Sequence, residues 1–286
     1  MGQENGGIKS YVTNILLLVI LVSLLCIPGY LCYKIFFSGD QEQQNNEDKK
    51  VEETEDTEEG IFEDTNDTQF SEKVPQFIES FPILENQQAY VAIQDDMKEN
   101  DPPILIIYSH GSESVVTQDM NSPFMLELQE YGRYFSKHNY IFAASNQHGV
   151  SWGNEASLRD TANLVEWVRT NYKINPQIYM IGFSMGGLTS LNFASQNPEI
   201  VVKVALLAPT TRISEWNKQR AEGIKDIDIK IWHGDADEYV AYSSIQDFVT
   251  KLNSWGKDIE LVTLEDKRHY DLDTEYMEDI LQFFNQ

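Results

Sequence analysis

Ser184 sits in Gly182-Phe183-Ser184-Met185-Gly186-Gly187, a G-x-S-x-G pattern preceded by the apolar run Ile178-Tyr179-Met180-Ile181. A strand, a sharp turn and a helix are the expected setting for that pattern, with the serine at the turn. The turn forces the backbone into a strained conformation and lifts the hydroxyl clear of the strand. The helix that follows aims its amino-terminal dipole at any negative charge developing there. A serine hydroxyl is a weak nucleophile on its own and needs a base, which in turn needs a third group to orient it. Only two histidines follow Ser184, namely His233 and His269. Where the pattern is functional, the acid falls between the serine and the histidine in the chain. Asp237 and His269 then serve as acid and base, with Asp235 and Glu238 close to Asp237 in sequence. His110, His148 and His233 read as loop-holding residues and His138 as an exposed helix-end residue, and none of them forms metal-ligand spacing. Trp152, Trp216 and Trp232 suit either a pocket lining or the core.

These residues require a scaffold that brings strand ends together. From Lys73 onward, short apolar runs alternate with helix-length amphipathic stretches. The expected strands are Ala89–Gln94, Ile104–Ser109, Tyr140–Ala144, Ile178–Gly182, Val204–Leu207, Ile229–His233 and Ile259–Leu264. The expected helices are Pro123–Lys137, Ser157–Asn171, Met185–Ser195, a short one near Ile213–Glu222, Ser243–Ser254 and Thr274–Phe284. Apolar strands alternating with helices predict an α/β class: a mostly parallel central sheet with helices on both faces. In such sheets, sites form beyond the carboxyl ends of the strands, where Ser184, Asp237 and His269 all fall.

The domain resembles the α/β-hydrolase superfamily, in a small form similar to its esterase, monoacylglycerol-lipase-like and prolyl-oligopeptidase-like branches. Four stretches carry the likeness: Gly182 to Gly187; Gly234-x-x-Asp237-x-x-Val240, which selects Asp237 over Asp235; His110-Gly111-Ser112; and Gln147-His148-Gly149-x-Ser151-x-Gly153. Where that family carries glycine near its histidine, this chain has Arg268-His269-Tyr270. The resemblance implies a two-step acyl transfer. Ser184 attacks a carbonyl, His269 takes its proton, and Asp237 steadies the imidazolium. The N–H of Met185 and one near Ser112 bind the oxyanion. No metal or cofactor is implied. About twenty residues separate Ala208 from Asp228, where the family often inserts a lid, so a minimal lid and an open site are expected. A small-molecule carboxylic ester is the expected substrate. A serine peptidase of the prolyl-oligopeptidase type and a non-catalytic binding protein on the same fold are the alternatives.

The rest of the chain divides by composition. Residues 1–14 form an amino-terminal tail, 15–37 a membrane anchor, 38–73 an acidic linker and 74–286 the hydrolase-like domain. No charged side chain occurs over the 23 positions from Tyr11 to Tyr33, and about 20 apolar residues span a bilayer as a helix. A cleaved signal peptide competes with that reading. Only Lys9 is basic upstream and no small-residue cleavage site is visible. Leu25 before Cys26 argues against a lipoprotein, and Gly6 at the position asking for Ser or Thr argues against myristoylation. The single-pass arrangement expected in the cell membrane keeps the amino terminus inside and the catalytic domain outside. Asp40 to Glu72 holds 14 acidic residues against Lys49 and Lys50, and self-repulsion should keep such a stretch extended and disordered. Asn66-Asp67-Thr68 is a glycosylation sequon. The whole chain carries 21 basic and 46 acidic residues, a formal charge of −25. That balance excludes a nucleic-acid partner, because phosphate binding needs a basic surface. Two cysteines, Cys26 and Cys32, exclude a disulfide scaffold.

Overall fold

The computed structural model describes residues 75–286 apart from 98, 99 and 273. All of these belong to the second of two units in the chain, Phe70–Gln286. The expected anchor, the acidic linker and the sequon lie outside the described residues. Among the described residues, no helix is long and apolar enough to cross a membrane.

Among the described residues, nine strands form the sheet: β1 (Phe77–Ser80), β2 (Ile83–Leu84), β3 (Gln87–Gln94), β4 (Ile104–Ser109), β5 (Tyr140–Ser145), β6 (Ile178–Phe183), β7 (Val201–Leu207), β8 (Asp228–Gly234) and β9 (Ile259–Leu264). Their order is β1-β3-β5-β4-β6-β7-β8-β9, with β2 on β3. From β5 to β9 every pairing is parallel, whereas β1, β2 and β3 pair antiparallel. The expected α/β sheet is therefore present, with an antiparallel edge added. Neither β1 nor β2 was expected. Both are short and lack the continuous apolar run that marks a strand buried on both faces.

Among the described residues there are six α-helices: α1 (Pro123–Ser136), α2 (Glu155–Asn171), α3 (Gly186–Gln196), α4 (Lys218–Gly223), α5 (Tyr242–Ser254) and α6 (Met277–Phe284). Pro123 starts α1, where its missing N–H costs nothing. Asn154 caps α2 by accepting from the N–H groups of Ala156 and Ser157. The single helix expected near Ile213–Glu222 is instead a 3-10 turn, Ile213–Glu215, followed by α4. Trp216 is extended between them, buried against the ring of Phe248. Asn217 then starts α4 afresh by accepting from the Arg220 N–H. Likewise the last helix begins at Met277 rather than Thr274, and a 3-10 turn, Thr274–Tyr276, precedes it.

Side-chain alternation sorts the strands onto two cores. Leu105, Ile107, Met180, Val204, Leu206 and Ile231 pack with α2, α3 and α5 on one face. Their alternates Ile106, Tyr108, Ile181, Phe183, Leu207 and Trp232 pack with α1 and α6 on the other. The two faces make the three-layer arrangement that a parallel sheet requires. Between β7 and β8 only the 3-10 turn and α4 intervene, so no cap domain sits there.

The fold needs glycine where α3 meets the sheet. A Cβ on Gly186 would lie 1.9 Å from the carbonyl oxygen of Ser109 and 2.4 Å from its carbon. Both obstacles are backbone of β4, which cannot swing aside. Gly186→Ala is expected to cost about 3 kcal/mol or more. By calorimetry this should lower Tm by about 10 °C, and a drop of under about 2 °C would show that the contact is not tight.

Candidate active site

β6 ends at Phe183 and α3 begins at Gly186, so Ser184 and Met185 make the whole turn. Ser184 has a φ of 50°, in the left-handed region, which costs a serine about 1–3 kcal/mol and persists only where its surroundings hold it. Here they do. The Ser184 N–H donates to the Leu207 carbonyl, and its own carbonyl accepts from Gly187 and Thr210. The half-buried hydroxyl stands above the carboxyl edge of the sheet. The turn is thus the strained one that the glycine spacing predicted, although α3 starts one residue later than expected.

Two loops bring partners to that hydroxyl. After β9, His269 opens a 3-10 turn, His269–Leu272, and is almost fully buried. Its Nε2 lies 2.8 Å from Ser184 Oγ, and its Nδ1 lies 2.8 Å from Asp237 Oδ2. A carboxylate can only accept, so Nδ1 carries the proton and Nε2 offers its lone pair to the serine. After β8, Asp237 has a fully buried side chain. Its Oδ1 accepts from the N–H groups of Tyr239 at 2.9 Å and Val240 at 2.8 Å. Asp235 is directed elsewhere, accepting from the Asp266 N–H at 2.8 Å. Glu238 reaches the His269 backbone N–H at 3.4 Å and not the ring. All three expected residues therefore meet in one hydrogen-bonded chain, and the near neighbours of Asp237 do not enter it.

The loop after β4 closes the other side. A Cβ on Gly111 would stand 3.5 Å from Ser184 Cβ, so the Gly111-Ser112 turn abuts the serine. His110 is buried and its ring nitrogens face the carbonyls of Gly111 and Asn146, which ties this loop to the one after β5. Met185 lies at the amino end of α3, a helix terminus with free N–H groups. His148 pairs with buried Asp160 at 2.5 Å, and His138 reaches back to the Tyr134 carbonyl at the end of α1. Trp216 and Trp232 belong to the core, while Trp152 is exposed.

The residues missed from sequence are aromatic. Phe183, Tyr239 and Tyr270 surround His269, with ring centroids 5.3, 5.3 and 5.1 Å away. Tyr239 and Tyr270 are also exposed, at 64% and 52%. The Tyr270 hydroxyl donates to Glu113 Oε2 at 3.0 Å, a tie between the loops after β9 and β4. Burial, then Glu113, pushes the Tyr270 phenol up to about 12, so it remains a donor at neutral pH. The bulk of Tyr270, in place of a small residue beside the histidine, was the one sequence signal of this tie. A depression of about 530 Å³ opens next to it between Glu113, Val115, Asp119 and Phe124. A second cleft, about 380 Å³, lies at the opposite end of the sheet near Pro103 and Tyr140. Among the described residues, no group of His, Cys, Asp and Glu is placed to hold a metal.

A family profile described as the alpha/beta hydrolase fold matches residues 137–227, a stretch that includes β6, the serine turn and α3. Solved structures agree over more of the chain. A thermostable esterase superposes with a TM-score of 0.56 at 19% identity, over 73% of this chain and 63% of that one. The chain has the α/β-hydrolase fold. Est1E from Butyrivibrio proteoclasticus matches with a TM-score of 0.53 at 17% identity, over 72% of this chain and 95% of that one. S-formylglutathione hydrolase from Staphylococcus aureus matches at 0.57 and 16%, over 74% and 97%. No curated protein matches the chain by sequence. The α/β-hydrolase fold accounts for the shared carboxyl edge on which Ser184, Asp237 and His269 converge.

Proposed function

We propose that this protein is a serine hydrolase that cleaves carboxylic esters through an acyl-enzyme. The relay Ser184–His269–Asp237, with both links at 2.8 Å, carries the reading. Ser184 Oγ attacks the ester carbonyl as its proton passes to His269 Nε2. The imidazolium is stabilised by Asp237 and then protonates the leaving alcohol. Water, activated by the same histidine, attacks the acyl-enzyme and restores Ser184. The N–H of Met185, with one from the Gly111-Ser112 turn, stabilises the oxyanion, a contact whose loss costs about 2.7–4 kcal/mol per donor. The short β7–β8 crossing supports an accessible site for small or exposed esters, and the esterases among the solved structures of similar fold favour the same chemistry.

The expected result is labelling of the wild-type chain by a fluorophosphonate, together with turnover of p-nitrophenyl esters. Turnover of prolyl amides in preference to esters would assign a peptidase, and no labelling of the folded chain would remove the hydrolase reading. The uncharged run Tyr11–Tyr33 further supports a single-pass anchor, and the outer side of the cell membrane is the side proposed for the domain. The mass of the mature protein is expected to include residues 1–37, and a mass lacking them would mean a cleaved leader.

A further inference from the structure

A second histidine shares the carboxylate of Asp237. His233 ends the apolar part of β8 with no exposed surface. Its Nε2 lies 2.9 Å from the Val240 carbonyl and 3.4 Å from Asp237 Oδ2, the same oxygen that binds His269. A carbonyl only accepts, so Nε2 carries the hydrogen. Nδ1 is buried with no hydrogen-bond partner. A cationic ring would have to place a second N–H at that unpartnered position, at a high desolvation cost. Burial accordingly holds the His233 imidazole below its ordinary range, against the opposing pull of the Val240 carbonyl and then of Asp237. His233 is therefore a neutral donor with a fixed tautomer.

Its placement has a consequence for the acid loop. Asp237 Oδ1 holds the Val240 N–H and His233 holds the Val240 carbonyl, so one residue of the loop is gripped at both ends. The grip fixes the carboxylate from behind while its other oxygen meets His269. The groups facing this cluster are Asp237, His269, Glu238 at the His269 backbone, and the ring of Tyr242, 6.0 Å from that of His233.

Resting on the serine-hydrolase reading above, we propose that His233 is a positioning residue: its Nε2–H clamps Val240 and aims the Asp237 carboxylate at His269. It touches no substrate. The test uses the full chain with two replacements chosen by stereochemistry. The side-chain amide nitrogen of glutamine reaches the place of Nε2, whereas that of asparagine reaches only the place of Nδ1. His233→Gln is expected to keep kcat within about threefold of wild type, and His233→Asn to lower it about 100-fold, the scale for a misplaced catalytic group. KM should hold in both. In His233→Asn the acid limb of kcat/KM should move to lower pH, because a misaimed carboxylate stabilises the His269 imidazolium less. The far-downfield proton of the Asp237–His269 bond, read by NMR, should weaken in His233→Asn and persist in His233→Gln.

Equal kcat in both variants and wild type would overturn the proposal. So would equal losses in both variants that track Tm with the acid limb unmoved, since that is what a purely structural histidine would give. If the wild type neither labels nor turns over esters, the reading of the site fails separately. The downfield proton, measured in the Ser184→Ala background with each His233 replacement, then decides the positioning role alone.

Discussion

Ser184→Ala is expected to lower kcat on a p-nitrophenyl ester by about 10⁶-fold while leaving the fold intact, the scale known for serine nucleophiles that act with a histidine base. The fold should survive because alanine meets the same backbone demand as serine at a φ of 50°, and the three backbone hydrogen bonds of the turn remain. His269→Ala should cost about as much, since a serine without its base and a base without its serine are equally idle. The double replacement should then be no slower than either single one. Steady-state kinetics with burst titration would check this. Losses that simply multiply would mean that the two side chains act independently, contrary to the 2.8 Å bond between them.

Asp237→Asn is the second large effect, expected at about 10⁴-fold in kcat, the scale seen when the orienting acid of such a triad becomes an amide. The cause can be traced atom by atom. Oδ1 accepts from Tyr239 and Val240, and an asparagine oxygen would take that same place. Its NH₂ would then face His269 Nδ1, where Oδ2 now accepts. Two donors cannot meet, so the ring would shed its proton from Nδ1 and carry it on Nε2. That tautomer has no lone pair to offer Ser184. Asp235→Asn is the control. It keeps an acceptor for the Asp266 N–H and should change kcat by no more than about twofold, since Asp235 makes no bond to His269. A larger loss from Asp235→Asn than from Asp237→Asn would reassign the acid.

The parallel half of the fold was legible because burial on both faces leaves no room for polar residues. Ile104–Ser109 and Ile259–Leu264 were readable to the residue. The serine turn was legible for a related reason: its glycines answer to contacts that side chains cannot share. The acid was harder to identify. Asp235 and Glu238 stand two and one positions from Asp237; the spacing from Gly234 to Val240 favoured Asp237 only by resemblance, and the direction of each side chain is what separates the three physically. β1 and β2 left little trace because short edge strands need no continuous apolar run. The tie from Tyr270 to Glu113 joins residues 157 positions apart; the bulk of Tyr270 beside the histidine was visible in the sequence, but local pattern does not name so distant a partner. The contact of His233 with Asp237 was hidden differently. The sequence read His233 as a residue that holds a loop, but which backbone group it holds, and that it approaches the carboxylate of Asp237, emerges only with the 2.9 Å bond to Val240 and the 3.4 Å approach to Asp237 Oδ2. The expected anchor and linker fall outside the described residues and stand on composition alone.

Ser184 and His269 are 85 positions apart, and they meet only because β6, β7, β8 and β9 lie side by side in one sheet. Each parallel step in that series is a long-range closure, and such closures form slowly and together. A chain in which β8 has docked and β9 has not would hold Asp237 without its histidine. On the serine-hydrolase reading proposed above, catalytic competence requires both strands to be docked, and a half-folded chain would have no weakened version of it. If the proposed ester hydrolysis holds, turnover during refolding would rise with the last strand to dock and not with the first collapse, so an ester substrate would serve as the clock for completion of the fold.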